Sequence, residues 1–390
     1  MKLPYADWRG RPEMRRLLDV LGAGDGETRF VGGCVRDTLL GLPVSDVDLA
    51  TRLQPQDAID RLKTAAIKVV PTGLAHGTVT AVIGGKPVEV TTLRRDVATD
   101  GRRATIAYTE DWREDAARRD FTINALTADP RSGEIYDYFD GLPDLDLRRV
   151  RFIGDALTRI AEDHLRILRF FRFHARFGRG EPDAAALAAC TERANDLMAL
   201  SRERIADELL KLLALPDPAP TVRLMIAQGI LKPVLPEIVD AAPLERLVAA
   251  ERAAEEEPQA LRRFAALLPP DPETAASVAT RLRLSNRAAK RLALAADRTT
   301  GDPRRLAFRI GTDGAIDRLL LAGEDPAGLR GWQPPRLPMS GGELIAMGLT
   351  AGPEVARTLQ AVERAWEEAG FPDKAAVQTI ARALVDEALR

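Results

Sequence analysis

The chain has 390 residues, of which 45% are hydrophobic, and its 56 Lys and Arg residues nearly balance its 58 Asp and Glu residues. This length predicts two or three domains with a substantial core, and the net charge of -2 excludes an overall basic excess, so contacts with nucleic acid would need local clusters of cations. There are only two cysteines, Cys34 and Cys190, and they are distant in sequence, which argues against a disulfide framework and a thiolate zinc site. There is no long apolar run or signal peptide, which argues against a membrane span. Together these observations predict a cytoplasmic protein.

Strand-prone runs are confined to the first third of the chain, and the rest is rich in Ala, Leu, Arg and Glu. This asymmetry predicts an α+β fold, in which a small head with a mixed sheet precedes a long helical remainder. We expect a head over residues 1–145, a helical neck over 146–200, a helical body over 201–268 and, after a Pro-rich linker, a helical tail over 273–390.

The first elements are predicted to be a helix and then the stretch around which the chain is organised. Residues 12–21 have the apolar spacing of an amphipathic helix. Residues 30–51 contain a β-prone run, a helical turn and a second β-prone run that holds Asp46 and Asp48. Because side chains two apart on a strand share a face, the two carboxylates should project side by side. Such a pair suits Mg²⁺, which can activate a hydroxyl for phosphoryl transfer.

The same stretch offers groups that bind a triphosphate. Gly32 and Gly33 end the first β-prone run and would let backbone N–H groups approach phosphates closely, and Arg36 supplies a forked cationic donor nearby. Each feature alone is common in ordinary turns and solvated strands. Their combination predicts a nucleotide site.

The remainder of the head is predicted from periodicity and turn residues. Helical spacing indicates one helix, and β-prone runs with Gly-rich connections indicate four further strands. These are a helix over 55–66 and strands over 67–71, 77–83, 87–93 and 133–140, with a hairpin at 84–86.

Two features of this part have alternative interpretations. Glu89 points away from Val88 and Val90, so it is either a polar residue on a solvated face or a third metal-binding carboxylate beside the aspartate pair. Residues 94–112 have mixed charge and little periodicity, which predicts a mobile loop, either beside the site or on the solvated surface.

Residues 162–173 are predicted to form a buried helix, because apolar side chains occupy most of its circumference. Its charged row should face an interior cleft, where buried guanidinium groups need anionic partners such as a triphosphate. The row consists of Asp163, Arg166, Arg169 and Arg172.

Asp163 and Arg166 could read a base. Cytosine and adenine both present an amino donor beside an unprotonated ring nitrogen, so the carboxylate can accept from one group while the guanidinium donates to the other. Uracil and guanine present the opposite pattern, and each unpaired buried polar group costs about 1–3 kcal/mol. The alternative is an ordinary intrahelical ion pair.

Three motifs resemble those of class II tRNA CCA-adding enzymes and bacterial poly(A) polymerases. They are residues 30–51, the Arg-Arg-Asp-Phe-Thr-Ile-Asn-Ala motif of residues 118–125 and the Glu-Asp-x-x-Arg motif of residues 162–166. The resemblance implies a polymerase-beta-like nucleotidyltransferase head that needs Mg²⁺ at Asp46 and Asp48. It also implies that side chains of the neck take the place of a template.

The resemblance assigns further roles. It implies that Arg119 reaches the nucleotide and that Asp120 holds this arginine in position, and it leaves Arg118 open between site and surface. Arg169 and Arg172 would contact phosphate or support the pocket. The flexible loop that follows the head strands would help to switch between nucleotides.

The activity implied is addition of CCA to the 3′ end of tRNA from CTP and ATP, with the tail holding the tRNA. A poly(A) polymerase, an enzyme that adds only CC or only A, and an RNA-binding protein with a decayed head are the alternatives. His76, His164 and His174 are not followed by Asp, so no His-Asp phosphohydrolase domain is expected. We expect a monomer, and the sequence leaves a dimer open.

Overall fold

The computed structural model describes residues 1–100 and 103–390, and side chains for residues 1–95 and 106–390. These residues form two compact units, Met1–Pro236 and Glu237–Arg390. The strands belong to the first unit, and the regular elements of the second are helices. The α+β prediction is confirmed, and the boundary between the units falls inside the range predicted as the body.

The head is built on a seven-stranded mixed sheet with the order β3-β4-β5-β2-β1-β8-β9, and β6 and β7 form a separate two-stranded sheet. β2 pairs with β5 in parallel, and the other neighbouring strands are antiparallel. The strands are β1 Thr28–Val31, β2 Asp48–Thr51, β3 Lys68–Gly73, β4 Thr78–Ile83, β5 Lys86–Thr92, β6 Arg94–Asp100, β7 Arg103–Tyr108, β8 Thr127–Ala128 and β9 Ile135–Tyr136.

The predicted hairpin is confirmed, since β4 and β5 are joined by Gly84 and Gly85 with φ of 54° and 75°. Positive φ at both central residues matches the right-handed twist of the strands and is accessible to glycine without strain.

The strand predicted over 133–140 is reduced to Ile135–Tyr136. Two other predictions for the head are wrong. The second β-prone run does not contain both aspartates, because β2 begins at Asp48 and Asp46 lies in the irregular segment before it. The predicted loop over 94–112 is replaced by β6 and β7, which pair with each other, and by the first residue of a helix that begins at Trp112. The mixed charge of these residues gives no apolar periodicity, but the backbone pairing of β6 with β7 does not depend on an apolar face. Gly101 and Arg102, within that predicted loop, lie outside the described residues.

The helices of the first unit cover the sheet and continue beyond it. α2 and α4 confirm the two helices predicted for the head, each with a proline in its first turn, where the missing N–H costs nothing. The helices are α1 Asp7–Gly10, α2 Pro12–Val20, α3 Gly33–Leu39, α4 Pro55–Thr64, α5 Trp112–Ala117, α6 Gly141–Asp146, α7 Ala156–Glu162, α8 Leu165–Phe177, α9 Ala184–Glu192, α10 Arg202–Leu213 and α11 Ala219–Ala227.

The neck differs from the single helix predicted over 162–173. α7 ends at Glu162 and α8 begins at Leu165, so Asp163 lies between them with an extended backbone (φ -155°, ψ 106°). Burial of α8 is confirmed for its apolar side, which packs Phe170 and Phe173 against Phe121 of the head, with ring centroids 6.4 and 5.0 Å apart. This aromatic contact positions α8 over the head.

The second unit consists of helices packed around apolar clusters and a buried group of ion pairs. One cluster is centred on Trp366, which is 1% exposed and packs edge-on against Phe371. The helices are α12 Ala242–Ala253, α13 Ala260–Leu267, α14 Pro272–Arg281, α15 Asn286–Ala296, α16 Pro303–Ile310, α17 Thr312–Ala322, α18 Gly341–Ala346, α19 Pro353–Glu368 and α20 Lys374–Ala388. In the described part of the chain, no helix is long and apolar enough to span a membrane.

Candidate active site

A cleft of about 580 Å³ lies where the head meets α8, and its walls are mostly polar and charged. It brings together nine of the residues predicted for the site, which come from four separate parts of the first unit. The lining residues are Gly32, Gly33, Arg36, Asp46, Asp48, Arg118, Arg119, Asp120, Asn124, Asp163, Arg166, Arg169 and Phe173. Glu89 and Arg172, also predicted for the site, are not among them.

The turn from β1 into α3 forms one wall of the cleft. Gly32 has φ of 68°, which strains any residue with a side chain, and a Cβ there would lie 3.1 Å from the guanidinium of Arg119. Glycine therefore lets the Arg119 side chain lie against the backbone of this turn.

Asp48 opens β2 at the mouth of the cleft, and its carboxylate lies among other acids. It pairs in parallel register with Glu89 of β5, so the two side chains leave the same face of the sheet, which answers the question that the sequence left open about the face of Glu89. Burial, together with the charges of Glu89 and Asp46, raises the pKa of Asp48 to about 6, and the charge of Arg119 opposes this shift.

The acidic group fits a divalent cation. A desolvated carboxylate such as that of Asp48, repelled by neighbouring acids, favours a positive counter-charge, and Mg²⁺ binds one or two protein carboxylates while substrate phosphates complete its shell. Over the described residues, no cluster of three or more Asp, Glu, His or Cys side chains has the geometry of a closed metal site.

Arg119 is held by a different acid from the one predicted. Its guanidinium pairs with Asp115 of α5, 3.2 Å away, while Asp120 accepts two hydrogen bonds from Arg169 of α8 at 2.8 and 2.6 Å. Burial alone would raise the pKa of Asp120, but Arg169 and a hydrogen bond from Asn124 hold that pKa below its usual value. Asp120 therefore joins the head to α8 instead of orienting Arg119.

Arg36 is buried and fixed by its neighbours. Its Nε donates to Asp37 at 2.8 Å, its Nη1 donates to Asn124, and its guanidinium stacks on Phe177 at 4.0 Å from the ring centroid. With one face on an aromatic ring and its charge paired with buried Asp37, Arg36 is held rigidly in the wall of the cleft.

Arg118, which the sequence left between site and surface, lines the cleft as well. Its Nε donates to Asp115 at 2.9 Å, and its carbonyl accepts a hydrogen bond from Arg166. This arginine belongs to the site wall through its backbone as well as its side chain.

Asp163 and Arg166 line the same cleft but do not pair with each other. Arg166 donates to Glu162 and to the carbonyl oxygens of Arg159 and Arg118, the last two at 2.9 Å. Asp163 accepts a hydrogen bond from Arg204 of α10 at 2.7 Å. The two groups are therefore held independently, each with its orientation set before a ligand enters.

Arg172 lies outside the cleft lining and is engaged elsewhere. It donates to Glu208 of α10 at 2.6 Å, and the Glu208 side chain is only 3% exposed. The arginine row of the predicted helix is thus divided: Arg166 and Arg169 face the cleft, and Arg172 neutralises a buried acid between α8 and α10.

Four residues that hold the site together were not predicted from the sequence. Asp115 had a detectable signal, because it precedes Arg118 and Arg119 by three and four positions, the spacing of neighbours on a helix. Asn124 also had a local signal, because it lies in the motif of residues 118–125, four positions after its partner Asp120. Arg204 and Glu208 carried no such signal, since their partners are far away in sequence.

A mixed sheet with two acids at the mouth of a cleft of nucleotide size, lined by arginines, defines a nucleotidyltransferase site. Comparison with known families agrees. Residues 28–151 match the poly(A) polymerase head domain, and residues 181–242 match a region described as a probable RNA- and SrmB-binding site of polymerase A.

Individual relatives have more specific names. The chain is 35% identical over 378 residues to the mitochondrial CCA tRNA nucleotidyltransferase 1 of Danio rerio, covering 91% of this chain and 86% of the relative. It is 43% identical over 203 residues to that of Mus musculus, covering 51% and 46%. A crystal structure of the Bacillus stearothermophilus CCA-adding enzyme in complex with CTP aligns with a TM-score of 0.76 and 26% identity, covering 96% of this chain and 98% of that one.

The chain belongs to the CCA tRNA nucleotidyltransferase family. It is an enzyme of tRNA 3′-end processing, and nucleotidyltransferases of this family generally use a divalent metal. The resemblance stated from its three motifs is confirmed.

Proposed function

We propose that this enzyme rebuilds the 3′ CCA end of tRNA in the cytoplasm by adding nucleotides from CTP and ATP without a nucleic-acid template. One observation carries the proposal: Asp46 and Asp48 line the same cleft as Asp163 and Arg166. A single nucleotide can therefore meet the acids of the head at its phosphates and the polar pair of the neck at its base.

The roles of the head residues follow from their chemistry. Asp46 and Asp48 would hold Mg²⁺, which supplies activation of the RNA 3′ hydroxyl and neutralisation of phosphate charge. Glu89 would add negative charge beside Asp48 from the neighbouring strand. Because Glu89 is exposed and outside the cleft lining, we assign it a supporting part at the metal.

The triphosphate would lie along the turn of Gly32 and Gly33, between Arg36 and Arg119. The buried Nε of Arg119 has no hydrogen-bond partner among the described residues, which leaves a donor for an anionic ligand. Arg169 already neutralises Asp120, so it supports the pocket wall.

The base would be recognised by one hydrogen-bond acceptor and one hydrogen-bond donor of the neck. Asp163 accepts from the amino group that cytosine and adenine share, and Arg166 donates to the adjacent ring nitrogen. Rigid positioning of these donors and acceptors and of the phosphates provides most of the rate in this type of reaction.

The decisive experiment uses a tRNA transcript that ends before its CCA. We expect two added residues with CTP alone and three, ending in A, with CTP and ATP together. A long tract of A from ATP alone would identify a poly(A) polymerase. Arrest after CC with both nucleotides would identify a CC-adding enzyme, and extension only of tRNA that already ends in CC would identify an A-adding enzyme.

A further inference from the structure

The carboxylate of Asp163 is held by a residue that does not line the cleft. Arg204 Nη2, in the first turn of α10, donates to Asp163 Oδ2 at 2.7 Å, and the backbone N–H of Leu165 donates to Oδ1 at 3.1 Å. Both carboxylate oxygens are thus fixed from outside the cleft, one by the next helix and one by the start of α8.

We propose that Arg204 is a positioning residue that sets discrimination between bases by orienting the carboxylate of Asp163. The proposal rests on the function proposed above, in which Asp163 accepts a hydrogen bond from the base. Arg204 acts through Asp163, since it is absent from the lining of the cleft among the described residues.

The local backbone explains why Asp163 needs such a partner. It lies between α7 and α8 in an extended conformation, where the backbone N–H of Leu165 holds Oδ1 and leaves Oδ2 to a side-chain partner. The neighbouring Arg166 is engaged with Glu162 and with two backbone carbonyls and does not pair with Asp163. Arg204 is therefore the cation that selects the orientation of the Asp163 carboxylate.

The orientation of Asp163 decides what it can accept. Carboxylate oxygens accept hydrogen bonds, which suits the amino groups of cytosine and adenine. Without Arg204 at Oδ2, the carboxylate would no longer be held toward that amino group, and discrimination against uracil and guanine would weaken.

The test substitutes Arg204→Met and compares kcat/KM for CTP with that for UTP, and for ATP with that for GTP, on matched tRNA transcripts. We expect each discrimination ratio to fall about tenfold. Arg204→Lys, which keeps the charge but loses the forked donor, should restore part of the loss. Lys211→Gln is the control, because it removes a positive charge from an exposed ion pair of the same helix and should leave both ratios unchanged.

Asp163→Ala separates this inference from the proposed function. If Asp163→Ala retains discrimination, base reading by Asp163 fails. If Asp163→Ala loses discrimination but Arg204→Met and Arg204→Lys both retain it, only the inference about Arg204 fails. In the Asp163→Ala background, Arg204→Met should cause no further loss, and an additional loss would show that Arg204 acts by a route other than Asp163.

Discussion

Asp48 has the most demanding environment of the acids in the cleft. It is desolvated at the start of β2 and faces Glu89 and Asp46, and these charges act on it together. Ionisation of such an acid is costly in the protein alone. It becomes favourable when a divalent cation binds, because the cation changes the nearby charge from negative to positive.

Substitution of Asp48 tests this assignment. Asp48→Asn keeps the shape of the side chain but removes the charge that holds the metal, so kcat for nucleotide addition should fall by at least ~10²-fold. Binding of tRNA, measured by filter retention, should persist. Activity that survives this change would contradict the assignment, whereas loss of activity with tRNA binding retained would dispose of an RNA-binding protein with a decayed head.

Glu89→Gln provides the matched comparison on the adjacent strand. Since Glu89 acts through its charge on Asp48, we expect a loss of about tenfold or less, recoverable at high Mg²⁺ concentration. A loss as large as that of Asp48→Asn would instead make Glu89 a direct metal ligand.

At the scale of secondary structure, α8 and α10 share a buried ion pair between Arg172 and Glu208. The sequence predicted that Arg172 binds or supports the nucleotide, whereas in the structure it neutralises an acid that is 3% exposed. Arg169 lies 3.8 Å from the same acid, so removal of Arg172 leaves the buried charge only partly compensated.

We therefore expect Arg172→Met to lower the free energy of unfolding by about 2–3 kcal/mol, measured by urea denaturation, while KM for CTP changes by less than about twofold. Arg119→Met should do the reverse, raising KM for CTP by about tenfold or more with little loss of stability. If Arg172→Met raised KM as strongly with stability unchanged, Arg172 would be a phosphate ligand.

The second unit contains a buried chain of ion pairs across four helices. Glu251 of α12 accepts from Arg262 and Arg263 of α13, both at 2.8 Å, and Arg262 also donates to Asp317 of α17 at 2.8 Å. Arg291 of α15 donates to the same aspartate at 2.6 Å. These buried charges neutralise one another across helix boundaries, so they favour a single register of the helices.

Glu251→Gln should destabilise the second unit by about 3–5 kcal/mol, because it leaves two arginines without a full counter-charge at sites that are 2–3% exposed. Glu255→Gln, at an acid whose side chain is 82% exposed, should change stability by about 0–1 kcal/mol. Equal effects of the two variants on the thermal unfolding transition would show that the buried network does not stabilise the unit.

At the scale of the whole molecule, a chain with a net charge of -2 must bind a polyanion through local clusters of cations. The acids that would hold the metal occupy the head, whereas the match to an RNA-binding region lies over residues 181–242. Chemistry and RNA binding are therefore expected to be separable.

Removal of the metal tests this separation. We expect EDTA to abolish nucleotide addition, while tRNA remains bound in a gel-shift assay, and excess Mg²⁺ should restore addition in the wild-type enzyme but not in Asp48→Asn. Nucleotide addition that continued undiminished in EDTA would refute a catalytic metal at the aspartate pair.

The sequence by itself determined the fold class and most residues of the cleft. Its strand and helix periods are local signals, and Gly32, Arg36, Asp48 and Arg119 lie in short motifs whose chemistry depends on adjacent residues. A motif can therefore be recognised before its surroundings are known.

The tertiary structure alone decided which charged groups meet. Arg169 pairs with Asp120 across 49 positions, and Arg204 pairs with Asp163 across 41. No period or spacing encodes such pairs, because they depend on how α8 and α10 pack against the head. For the same reason the break between α7 and α8, which frees Asp163 from the helix, became visible only when the chain was folded.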